Sequence, residues 1–203
     1  MKRAHLYLLC LAMLLTLTAC GDTSQPTSDD QQSAAVDSSD TVEETAQNQE
    51  AVTEATPAEV KKNTTSNDLI IWQCIKNTDV YYNNIVEKTK EVDAGTISAV
   101  EFQSYCDEVV DYTSKFREHL QEVDDPAAAD YKTAAADYIS NITILARDTK
   151  DFSETGDSDA FENMQLGVEL IPYCTDELTV ARTNYLKQAG FTDDEITATL
   201  SEE

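Results

Sequence analysis

The sequence predicts an all-α protein, an up-down-up-down four-helix bundle with a short additional C-terminal helix, and three observations carry that reading. Across residues 66–203 the apolar side chains recur in steps of three and four, the period of an amphipathic helix. Glycine and proline are scarce there and fall where helix junctions are expected. No stretch alternates with period two for long enough to make a strand.

The first helix is expected over about Ser66 to Val92, with a stripe of Ile71, Ile75, Thr78, Tyr82, Ile85, Thr89 and Val92. Gly95 suits the left-handed position that ends a helix, and Ser98-x-x-Glu101 is a capping box for the next. The second helix carries Phe102, Cys106, Val109, Thr113, Phe116, Leu120 and Val123 on one face and acids on the others. Asp124-Asp125-Pro126 is a turn with proline at the first helical position. Tyr131, Ala135, Tyr138, Ile142, Leu145 and Phe152 mark the third helix, and a loop is expected at Glu154 to Asp157. Phe161, Met164, Val168, Ile171, Leu178 and Tyr185 mark the fourth, with Pro172 inside it as an expected kink or break. Gly190 closes that helix, and Thr192-x-x-Glu195 opens the short last one. Helices of about 26 residues joined by connections of two to six favour antiparallel neighbours.

Before this domain, residues 21 to about 65 are Ser, Thr, Asp, Glu, Gln and Ala, with no aromatic and almost no large aliphatic residue. Such a segment cannot bury enough surface to offset its chain entropy and is expected to be a disordered acidic linker. Its mean reach is about 35 to 40 Å. The expected division is therefore 1–19 signal peptide, 20–65 modified cysteine plus linker, and 66–203 helical domain.

The front of the chain has a positive Met1-Lys2-Arg3, an apolar run from Leu6 to Leu17, and small residues up to Cys20. This is the layout of a secretory signal, and the run is shorter than the roughly 20 apolar residues of a membrane span. Leu17-Thr18-Ala19-Cys20, followed by Gly21, resembles the lipobox of bacterial lipoproteins. That resemblance implies cleavage before Cys20, diacylglyceryl transfer to its thiol, and a stable two-chain anchor. It places the protein on the extracytoplasmic face of a cell membrane. The long tether looks Gram-positive-like, with a periplasmic face as the alternative.

Asp and Glu outnumber Lys and Arg by 39 to 14. Removing Lys2 and Arg3 with the signal leaves 39 acids against 12 bases, a net charge of -27. A chain this acidic repels phosphate, which argues against a nucleic-acid partner, and stays soluble on a crowded surface.

Cys74, Cys106 and Cys174 remain in the domain, in an exported and disulfide-permissive setting. At about 1.5 Å per residue they lie at heights of about 12, 27 and 15 Å along the bundle. Cys74 and Cys174, on helices that neighbour each other in an up-down bundle, are therefore the candidate disulfide.

Asp151 to Glu162 has metal-ligand spacing: Asp151, Ser153 and Thr155 at the odd positions, Gly156 at the sixth and Glu162 at the twelfth. It resembles an EF-hand calcium loop, although Ser158 stands where that family places an aliphatic residue. The competing reading is a helix-helix turn capped by Asp157 or Ser158. One histidine, His119, follows Cys20, so a histidine triad or a multi-histidine zinc site lacks parts. Glu-x-x-His pairs, Cys-x-x-Cys, a Gly-rich phosphate loop and a Gly-x-Ser-x-Gly elbow are all missing. Carboxylate pairs such as Glu118 with Glu122, or Asp107 with Asp111, keep an envelope-polymer hydrolase as a remote alternative. Tyr81, Tyr82, Tyr105, Tyr112, Tyr131, Tyr138, Tyr173 and Tyr185 offer apolar rings with polar tips for packing or for a partner. The expected function is a surface-displayed, non-catalytic binding or accessory module, with a protein or small ligand as partner, no cofactor, and calcium binding as the main alternative.

Overall fold

The computed structural model describes residues 55–201. The expected signal peptide, Cys20 and most of the linker lie outside the described residues. The described residues form five α-helices and one 3₁₀ turn, with no strand among them, so the fold is all-α. In order they are α1 (Pro57–Asp93), α2 (Ala99–Leu120), the 3₁₀ turn Pro126–Ala128, α3 (Ala129–Thr155), α4 (Ser158–Gln188) and α5 (Asp193–Ser201).

Helix α1 starts at Pro57, well ahead of the expected Ser66, so residues 57–65 belong to the helix and not to the linker. The cause is local. Thr56 accepts from the Glu59 amide, the Glu59 carboxylate accepts from the Thr56 amide at 2.8 Å, and Pro57 occupies the first helical position. Thr64 is the buried residue of this added length. At 1.5 Å per residue α1 is about 55 Å long. The Ser98–Glu101 box opens α2 and the Thr192–Glu195 box opens α5, both where expected. Gly95, Gly156 and Gly190 take positive φ at helix ends. Pro172 does not break α4, which runs unbroken through it.

The sequence stripes are the core. Ile71, Ile75, Thr78, Ile85, Phe102, Cys106, Val109, Thr113, Leu120, all six marked residues of α3, and Met164, Val168, Leu178 and Tyr185 are buried. Cross-links between helices set three antiparallel neighbours. Along α2 and α3, Gln103 donates to Ser153, Lys150 to Asp107 and Thr143 to Thr113, so partner numbers fall as residue numbers rise. Tyr131 with Tyr185, Asn141 with Gly167, and Phe152 with Phe161 do the same for α3 and α4. Tyr81 against Tyr112 and Lys88 over Tyr105 do it for α1 and α2. Where α3 meets α4 the residue is Gly167, whose carbonyl accepts from Asn141 at 2.9 Å.

Candidate functional site

Three parts of the molecule hold polar or aromatic side chains beyond what a packed core needs. The most built is at the end where α1 begins. There Arg182 of α4 donates from Nε and from an Nη to the two carboxylate oxygens of Asp68 on α1, at 2.9 and 3.0 Å, with both side chains buried. Trp72, one turn along α1, lies under the guanidinium at 4.0 Å from its ring centre. The Tyr131 hydroxyl is buried without a well-aligned hydrogen bond. Burial first, and the Asp68 charge second, push its pKa far up. Tyr185 lies tilted against Tyr131, ring centres 5.9 Å apart, and donates to Asp125, which also accepts from Asn67 and caps the 3₁₀ turn through the Ala127 amide. Burial drives the Tyr185 pKa up to about 12.

Asp125 also lines a surface cleft of about 430 Å³ between the α2–α3 turn and α3, with Gln121, Asp124, Lys132, Thr133 and Asp137. Lys132 is committed to the Val123 carbonyl at 2.7 Å. A second depression of about 380 Å³, lined by Ser114, Arg117 and Glu118, shares Gln121 and Ala136 with it. Both are open to solvent, unlike the concave pockets that bury most of a small ligand's surface. The apolar space among Tyr82, Ile85, Leu145 and Met164 is about 20 Å³, room for roughly one water.

The second part is an aromatic row where α1 meets α2. Tyr81 stacks on Tyr112 at 5.3 Å, with Phe116 and Tyr105 at 6.0 and 6.4 Å. Lys115 and Lys88 place their ammonium groups over Tyr112 and Tyr105. The remaining tyrosines divide: Tyr138 of α3 donates to Asp79 of α1, whereas Tyr173 is exposed on α4. The third part is that outer side of α4, where Leu166, Leu170, Tyr173 and Val180 are all exposed.

The candidate disulfide is not formed: Cys74, Cys106 and Cys174 are free thiols. Height along the bundle is not sufficient for pairing, because the side chains must also face each other. Cys74 is buried in the core and feels Glu122 in the turn after α2, whereas half-buried Cys174 feels Glu177 on its own helix and Asp137 on α3. Burial raises all three pKa values, that of Cys106 to about 12, so none is a ready thiolate nucleophile.

Nor do residues Asp151 to Glu162 form a twelve-residue loop. Asp151 to Thr155 complete the last turn of α3, Ser158 to Glu162 open α4, and only Gly156 and Asp157 lie between. Gly156 is the left-handed cap at φ 69°, Thr155 donates to the Asp151 carbonyl, and Asp157 accepts from the Asp159 amide. Helix capping uses the same residue types at the same spacing as the calcium motif. Among the described residues no group of three His, Cys, Asp or Glu side chains is placed to hold a metal ion. The pairs Glu118 with Glu122 and Asp107 with Asp111 stand on exposed positions of α2 and the turn after it, and Asp107 is tied to Lys150.

The sequence reading did not find Asp68, Arg182 or Asp125. One signal was present: Asp68 lies one turn before Trp72, on the side of α1 that continues the buried stripe. Comparison with known proteins finds no matching family model, no similar curated protein and no similar solved structure.

Proposed function

We propose that this chain is a lipid-anchored protein of the extracytoplasmic membrane face, whose helical domain is a non-catalytic binding or accessory module held off the membrane by an acidic tether. The observation that carries the anchor is Leu17-Thr18-Ala19-Cys20 behind a charged and apolar leader. The three antiparallel neighbours support an up-down-up-down order for the four long helices. In that order the tether joins at Pro57, and the aromatic row at Tyr81 stands some 36 Å further along α1.

The polar groups favour binding over chemistry. The best-formed cluster, Asp68 with Arg182, is buried and spent on joining two helices, while the surface presents aromatic and aliphatic side chains at Tyr112, Leu166 and Tyr173. Partners of such a surface are proteins or small ligands, and its net negative charge disfavours nucleic acid.

The test is metabolic labelling with an alkyne fatty acid in a bacterial host. The wild-type chain is expected to take up label and to sediment with membranes. Cys20→Ser is expected to lose the label. An unlabelled wild type recovered without its leader would replace the anchor with a secreted form.

A further inference from the structure

We infer that the outer face of α4 is a docking surface for a basic amphipathic helix of a partner protein, an inference that rests on the binding-module reading above and names its partner class. Leu166, Leu170, Tyr173 and Val180 fall at steps of four, three and seven along α4, which is the spacing of alternating heptad positions on one side of a helix. They are 54, 40, 69 and 59% exposed, whereas the opposite stripe of the same helix, Met164, Val168, Leu178 and Tyr185, is buried in the core. The helix therefore has two apolar sides, and the fold uses one. The bond from Asn141 to the Gly167 carbonyl brings α3 alongside and sets Ile144, 50% exposed, near the level of Leu166. From Leu166 to Val180 the row is about 21 Å long, four turns of a partner helix, with Glu177 at the position of the same side between Tyr173 and Val180.

Charge selects the occupant. From Ser158 to Ala181 the helix has no Lys or Arg, but it has Asp159, Glu162, Glu169, Asp176 and Glu177. Ile144 shares its side of α3 with Asp137, Asp148 and Asp151, and Arg147 is the base beside them. A second copy would set acid-flanked row against acid-flanked row, and an anionic lipid surface would be repelled as well. A helix with an apolar stripe between Lys or Arg residues complements both the row and its borders.

The probe is a synthetic helix of about 20 residues with leucine at heptad a and d positions and lysine elsewhere, titrated by fluorescence anisotropy against the full chain in neutral-lipid nanodiscs. A scrambled peptide of the same composition reports charge attraction alone. Wild type is expected to bind the patterned peptide at least about tenfold more tightly than the scrambled one. The Leu166→Ser/Leu170→Ser/Tyr173→Ser variant is expected to lose that preference with an unchanged circular dichroism spectrum. Tyr173→Ser alone, at the most exposed position of the row, gives a partial loss if the triple variant does not fold. Equal binding of the two peptides, or undiminished preference in both variants, would overturn the proposal. So would self-association of wild type that the variants abolish, which would make a second copy the occupant. Fatty-acid labelling of Cys20 is read separately, so loss of peptide preference in a labelled protein rejects the docking surface and leaves the anchor standing.

Discussion

Asp93 is the last residue of α1, and both of its carboxylate oxygens are buried without a hydrogen-bond partner. Burial raises its pKa above the ordinary 3.8, and its charge also opposes the negative end of the helix dipole. A carboxyl whose folded pKa is raised disfavours the fold fully above that folded value. The penalty fades as pH falls, and it is gone below the unfolded value of 3.8. Asp93→Asn is therefore expected to stabilise the protein at pH 7 by about 1 kcal/mol, with the gain disappearing near pH 3.5, as read by urea unfolding at the two pH values. The capping glutamates have the opposite sign. Backbone amides of Thr56, Ser98 and Thr192 donate to Glu59, Glu101 and Glu195 and lower their pKa values, that of Glu195 to about 2. Their contribution is present above the unfolded value of 4.5 and is lost as pH falls through the folded values. The Glu195 cap thus persists into a pH range where Asp93 has already become neutral.

Among the helices, the Asp68–Arg182 pair is the contact whose loss would be felt most. Both groups are almost fully buried, and they join α1 to α4 at the end where α1 begins. Arg182→Ala is expected to destabilise by about 3 to 5 kcal/mol, since it leaves a buried carboxylate uncompensated. Asp68→Leu combined with Arg182→Leu is expected to recover most of that loss, because two apolar side chains need no solvation. Urea unfolding of the single and double variants measures the difference; a double variant as unstable as Arg182→Ala would show that the pair contributes net stability. Beyond the place of Asp68 on the side of α1 that continues the buried stripe, nothing in the sequence marked these two residues among so many charges, since a buried acid and an exposed one read alike until the packing face is known. The apolar stripes were legible because period alone fixes which side of a helix is buried, and Ile71 to Thr89 and Phe102 to Leu120 lie where that period puts them. The start of α1 was legible in Thr56-Pro57-x-Glu59, but the following turns carry so little apolar surface that composition argued for linker. The Cys74–Cys174 bridge was inferred from height, and facing direction decides such a pair. The Asp151 to Glu162 motif was misleading for a physical reason: a left-handed glycine followed by an acidic N-cap is how two antiparallel helices are joined here.

At the scale of the whole molecule, charge of one sign dominates. The chain carries 39 acids and 14 bases, and few of the bases are spent on long-range pairs at the surface, such as Lys61 with Glu195 and Lys150 with Asp107. Exposed pairs of this kind contribute about 0 to 1 kcal/mol each, whereas the unpaired carboxylates repel one another across the surface of the helical domain. Salt weakens both effects, and the sign of its influence shows which is larger. Raising ionic strength from about 0.01 to 1 M shortens the screening length from about 30 to 3 Å, which removes repulsion between acids on neighbouring helices while leaving the buried Asp68–Arg182 contact nearly untouched. The melting temperature is therefore expected to rise with sodium chloride over this range, steeply at first and flattening once the screening length falls below the spacing of adjacent helices, about 8 to 10 Å. A melting temperature that fell with salt would mean that the surface pairs outweigh the repulsion.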